Sequence, residues 1–95
     1  MDAGAVAAVP AHIRATLCDA GDEAQMAALF AQIAGDWGGL DVLCANAGIK
    51  GPTAGIEEMD LAEWHACLAV NLDGAMIAAK HAARMMKPAG KGVMI

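Results

Sequence analysis

A chain of 95 residues allows one small domain at most. A net charge of −5 with no Lys/Arg cluster leaves nothing to neutralise a nucleic-acid backbone over several contacts. The 58% hydrophobic content is swollen by alanine, and no apolar run approaches the roughly 20 residues of a membrane helix.

Asp2 and the lack of a basic N-terminal region argue against a secretory signal, so the expectation is a cytoplasmic protein with neither a nucleic-acid nor a membrane partner. Residues Asp2 to Val9 are alanine-rich, with Val6 and Val9 three apart, which suits a short helix ended by Pro10. Ile13, Ala15 and Leu17 then alternate with Arg14, Thr16 and Cys18, the period of a strand, and Asp19-Ala20-Gly21-Asp22 breaks it. Asp22 with Gln25 resembles a capping box, and Met26, Leu29, Phe30 and Ile33 repeat at helical spacing. That helix should run to about Ala34 and close at Gly35, with Trp37 folding back on its apolar face.

Leu40 to Ile49 is the centre of the chain. The run Leu40-Asp41-Val42-Leu43-Cys44-Ala45 is too short for a free-standing helix and reads as a parallel strand buried on both faces. Asn46-Ala47-Gly48 follows where the strand leaves the sheet, which in open α/β sheets is where ligands bind. Gly51, Pro52 and Gly55 make Ile49 to Met59 a loop, and Glu57 and Glu58 should be solvated. Asp60 with Glu63 reads as a second capping box, and Met59 with Trp64 as a hydrophobic staple, opening a helix to about Lys87 that Pro88 stops. Its apolar stripe is read as Trp64, Leu68, Leu72, Ala75, Ala79 and Met86, with Gly74, Ala78, Ala82 and Ala83 leaving other faces narrow for close helix contact. Asn71-Leu72-Asp73-Gly74 places three poor helix formers mid-helix, so something other than propensity explains them. After the turn Gly90-Lys91-Gly92, Val93-Met94-Ile95 opens another buried strand. Cys18, Cys44 and Cys67 lack ligand spacing and read as buried small apolar residues, so no metal is expected. His65 lies in the first turns of a helix beside the staple and His81 near a C-terminus that favours cations, so neither is read as catalytic.

In this order, the strand ending at Asp19, the Leu-Asp-Val-Leu-Cys-Ala-Asn-Ala-Gly stretch and Val70-Asn71-Leu72-Asp73-Gly74 inside a long helix resemble the short-chain dehydrogenase/reductase family. The resemblance implies an α/β chain, a partial Rossmann-type doubly wound parallel sheet of about three strands and three helices over residues 1–95. It also implies NAD or NADP as cofactor and hydride transfer to or from an alcohol or carbonyl substrate. By the same resemblance Asp19 and Ala20 lie beside the adenine, although a helix-capping turn is the other reading of Asp19. Asn46, Ala47 and Gly48 match the family's Asn-Asn-Ala-Gly beneath the adenosine ribose, with Ala45 replacing the first asparagine.

Asn71 matches the asparagine of the catalytic tetrad, which disturbs its helix so that a main-chain carbonyl can hold a relay water; a packing kink is the alternative. The Gly-rich phosphate-binding turn, the second strand and the serine, tyrosine and lysine of the tetrad have no counterpart among these residues. The expectation is therefore an internal piece of such an enzyme, inactive alone, whose long helix mediates a homodimer or homotetramer when complete. A non-catalytic truncated paralogue acting through helix association is the alternative, and a flavodoxin-like binding domain is a poorer third reading.

Overall fold

The computed structural model describes residues 3–95. The elements in order are α1 (Ala3–Ala7), α2 (Glu23–Trp37), β1 (Val42–Leu43), a 3₁₀ turn (Ile56–Glu58), α3 (Leu61–Leu68), a π-helical turn (Ala69–Asp73), α4 (Gly74–Ala89) and β2 (Val93–Met94). The expected start of the first helix, Asp2, lies outside the described residues.

β1 and β2 pair in parallel, Val42 opposite Val93 and Leu43 opposite Met94. The ladder is carried by Val93 N–H to the Asp41 carbonyl at 3.0 Å, Ile95 N–H to that of Leu43 at 2.8 Å and Ala45 N–H to that of Ile95 at 2.9 Å. A parallel pair needs a long crossover, and α3, the π turn and α4 supply it. Among the described residues the sheet has two strands, β1 and β2. Residues 14–19, which include most of the expected first strand, join no ladder, because a strand needs a neighbour to take its N–H and C=O groups and none lies alongside among the described residues.

The core sits between α2 and α4. Met26 and Phe30 meet Ile77, Ala78, Ala82 and Met86, all at most 6% exposed, and Leu43 of β1 packs against them. Burying side chains the size of Phe30 and Ile77 stabilises the pair by about 1.5–3 kcal/mol each. His81 shares this face: its ring stacks on Phe30 with centroids 5.4 Å apart, and its Nε2 lies 3.5 Å from Glu23 Oε1. His81 thus belongs to the core rather than to a helix end. Lys80 also pairs with Glu23, tying α4 to the first turn of α2.

Several expectations change here. The central strand is buried on one face only: Leu43 faces the helices, while Val42, 53% exposed, points to a side nothing covers among the described residues. Cys44 is exposed, and Cys18 and Cys67 are half-buried. The apolar stripe of the long helix is rotated from the expected one. Gly74, Ala78 and Ala82 lie on the packed face, whereas Trp64 is 46% and Leu72 62% exposed. The small residues are thus consumed by contacts within the chain, since only they admit α2 and the loop before it this closely.

Helix ends shift for a shared reason, that a positive φ terminates a helix more firmly than the identity of one residue. α2 runs through Gly35 to Trp37 and closes at Gly38, φ 76°, whose N–H reaches the Ala34 carbonyl at 3.0 Å. Trp37 remains 59% exposed. α4 runs through Pro88 to Ala89 and closes at Gly90, φ 72°. At α3, Asp60 caps through Ala62 N–H at 2.9 Å, without a reciprocal bond from Glu63 among the described residues. The radius of gyration is 15.4 Å, against about 12 Å for a compact domain of this length, which fits a sheet with one bare face.

Candidate functional site

Asp22 caps α2, its Oδ1 accepting the Gln25 N–H at 3.1 Å. Its own N–H is taken by the Asp19 carbonyl at 3.0 Å, and Asp19 Oδ1 accepts the Gly21 N–H at 2.9 Å, so Asp19-Ala20-Gly21-Asp22 is a tight turn held by its own polar groups. That turn lies across the long helix at its π-helical segment. A Cβ on Gly21 would sit 2.9 Å from the Ala69 carbonyl oxygen, and one on Gly74 would sit 3.1 Å from that of Ala20. The crossing is backbone on backbone: a Cβ at 21 would force a shift, and one at 74 would need its neighbour to give by a few tenths of an ångström.

Between Ala69 and Gly74 the helix widens. The Gly74 N–H bonds to the Ala69 carbonyl, five residues back, and so leaves the carbonyl of Val70, its ordinary partner. Asn71 lies in this turn, and its side chain is fully engaged. Oδ1 accepts the Ile49 N–H at 2.7 Å, while Nδ2 donates to the Ile49 carbonyl at 2.9 Å and to Cys67 Sγ at 3.2 Å. One side-chain amide thereby pairs with one backbone residue as a neighbouring strand would, pinning the chain just past Asn46-Ala47-Gly48 to the helix.

These elements enclose an open cleft of about 690 Å³, lined by residues that include Asp19, Ala20, Asn46, Ala47, Gly48 and Val70. All five expected nucleotide-contacting residues thus share one cavity, and Asn71 stands behind its wall, bonded to Ile49, which also lines it. Asp19 Oδ2 has no hydrogen bond among the described residues and is free to accept one from a ligand. The cavity volume lies within the range of small-molecule sites. Its lining holds a carboxylate, two carboxamides and small residues but no Lys or Arg, so it offers hydrogen-bonding groups and a close backbone approach without a cationic side chain.

Cys18, on the same wall, has its thiol pKa raised by partial burial and by the nearby Asp19 and Asp22 charges, so it stays protonated. Sequence reading missed Ile49, which acts through its backbone and leaves no trace in residue type. It also missed the full part of Gln25, visible only as a capping residue; Gln25 Oε1 accepts the Asp19 N–H at 2.9 Å.

A crevice beyond the end of a parallel strand, walled by an acid and a small-residue turn, is the place where open α/β proteins bind their ligands. The family model described as enoyl-(acyl carrier protein) reductase matches residues 2–95, and the chain belongs to the short-chain dehydrogenase/reductase family. It is 43% identical over 77 residues to cis-4-hydroxycyclohexanecarboxylate dehydrogenase of Sinomonas cyclohexanicum, a match covering 81% of this chain and 31% of that protein. It is 44% identical over 79 residues to (+)-borneol dehydrogenase 1 of Salvia officinalis, covering 82% of this chain and 30% of that one. A metagenomic short-chain oxidoreductase solved in complex with NADP superposes with a TM-score of 0.78 at 30% identity, covering 83% of this chain and 35% of that chain. The chain therefore spans about a third of the length of the relatives it matches.

Proposed function

We propose that these 95 residues form the adenosine half of the cofactor site in an NAD(P)-dependent oxidoreductase that interconverts an alcohol and a carbonyl compound. The observation that carries this reading is the gathering of Asp19, Ala20, Asn46, Ala47 and Gly48 in one cleft with Asn71 pinned behind it. Asp19 would accept from the exocyclic amine of adenine, and the small residues at 47 and 48 would let the backbone approach the ribose. When bound, the nicotinamide cofactor supplies the hydride chemistry. Asn71 touches neither reactant: it holds the Ile49 backbone, and the π turn around it takes the Gly74 N–H away from the Val70 carbonyl, the kind of distortion by which a main-chain carbonyl there would hold a proton-relay water.

The groups that bind phosphate and protonate a carbonyl have no counterpart in the cleft lining, so the reading includes a longer polypeptide that supplies them. In that complete polypeptide, Asp19→Ala should raise KM for NADH and NADPH roughly tenfold, the scale of losing a hydrogen bond to a charged acceptor. Unchanged KM would remove Asp19 from the site.

A second reading, helix-mediated association without catalysis, is favoured by one observation: Leu61, Trp64, Leu72 and Met76 are 46–64% exposed along the long helix. The two readings part on activity, and they agree that this apolar row is where a homodimer or homotetramer would form. A light-scattering mass equal to the monomer would remove the row from any such contact.

A further inference from the structure

We propose that Gln25 is a positioning residue that sets the base selectivity of the cleft by holding Asp19 in place. In an ordinary capping box the third helical residue accepts the N–H of the cap residue itself. Here the Asp22 N–H is already taken by the Asp19 carbonyl, and the Gln25 side chain reaches three residues further back, Oε1 accepting the Asp19 N–H at 2.9 Å. Its Nε2 donates to Asp22 Oδ2 at 3.2 Å. The orientation of the carboxamide is therefore not free: a backbone N–H can only donate and a carboxylate can only accept, so oxygen must face Asp19 and nitrogen Asp22.

Asp19 needs such a support because it is exposed and has no packing to fix it. The Gly21 N–H takes its Oδ1, the Gln25 carboxamide takes its N–H, and Oδ2 is what remains to meet a base. Gln25 lines the same cleft, so the bridge lies at the site and not behind it. Removing the bridge leaves α2 capped, since Asp22 Oδ1 still accepts the backbone N–H of residue 25. What is lost is the fixed position of one carboxylate.

This inference rests on the adenine reading of the cleft, and the experiment separates the two. In the complete polypeptide, kcat/KM is measured with NADH and with its hypoxanthine analogue, which carries a carbonyl where adenine has the exocyclic amine. The unsubstituted protein should prefer adenine by about tenfold, and Asp19→Ala should abolish the preference. Gln25→Met should reduce it to about twofold, with the change falling on KM rather than kcat, and Gln25→Glu, whose second oxygen would face Asp22 Oδ2, should do no better. A Gln25→Met protein that still prefers adenine tenfold, or one whose loss falls on kcat and not on KM, overturns the inference and leaves the adenine reading standing. An unsubstituted protein with no preference overturns both.

Discussion

Asn71→Ala tests whether one side-chain amide holds the cleft together. The substitution removes the two bonds to Ile49, at 2.7 and 2.9 Å, and the weaker one to Cys67 Sγ. Each amide bond contributes about 1 kcal/mol net, and the exposed Ile49 N–H and carbonyl can turn to water once released, so the loss should be about 1–2 kcal/mol of local stability. That corresponds to a roughly 5–30-fold rise in the open population of the segment after Gly48. Amide hydrogen exchange at Ile49 in the complete polypeptide reads it directly. Asn71→Asp should do no better than alanine, because its second oxygen would face the Ile49 carbonyl. Turnover should fall more than dinucleotide affinity, since Asn71 holds loop and helix in register without touching the nucleotide. Unchanged exchange at Ile49 would refute the clamp, whatever happened to activity.

Gly21→Ala should destabilise the protein by about 1–3 kcal/mol and weaken cofactor binding, because the new Cβ would meet the Ala69 backbone and lift the Asp19 turn from the π turn. Thermal unfolding with a cofactor titration checks it. In acid the start of α2 should loosen. The Gln25 backbone and side-chain amides lower the Asp22 pKa, and the Lys80 ammonium lowers that of Glu23. A carboxyl whose folded pKa is depressed stabilises the fold above its unfolded pKa, near 4, and that stability is lost as pH falls through the lower folded value. Melting temperatures from pH 6 to 3 should fall in that window, and Glu23→Gln should flatten the slope.

The residues expected at the site that gather in the cleft were legible in the sequence because their chemistry and position single them out. Asp19 follows a strand-like alternation, Asn46-Ala47-Gly48 ends an apolar run, and the poor helix formers at Asn71 to Gly74 flagged the helix distortion that the π turn displays. What escaped depends on backbone and on neighbours. Ile49 acts through its N–H and carbonyl, and Gln25 through a reach of six residues that an ordinary capping box does not suggest. The misread face of the long helix has a similar origin. Periodicity weights large apolar residues such as Trp64 and Leu72, whereas the close crossing with α2 and the Asp19 turn selected Gly74, Ala78 and Ala82. Likewise, the apolar run around Val42 and Leu43 signals burial on two faces, and only one has a covering layer among the described residues.

The most direct test of the account is one titration performed on two proteins, the 95 residues alone and the complete polypeptide that carries them. NADH and NADPH binding is followed by fluorescence while a panel of aldehydes and ketones is assayed for turnover. The account expects micromolar binding and turnover from the complete polypeptide and neither from the 95 residues, whose cleft lining offers one free carboxylate oxygen for a base and no group for the pyrophosphate. Micromolar binding with turnover by the 95 residues alone, or none by the complete polypeptide, would contradict it.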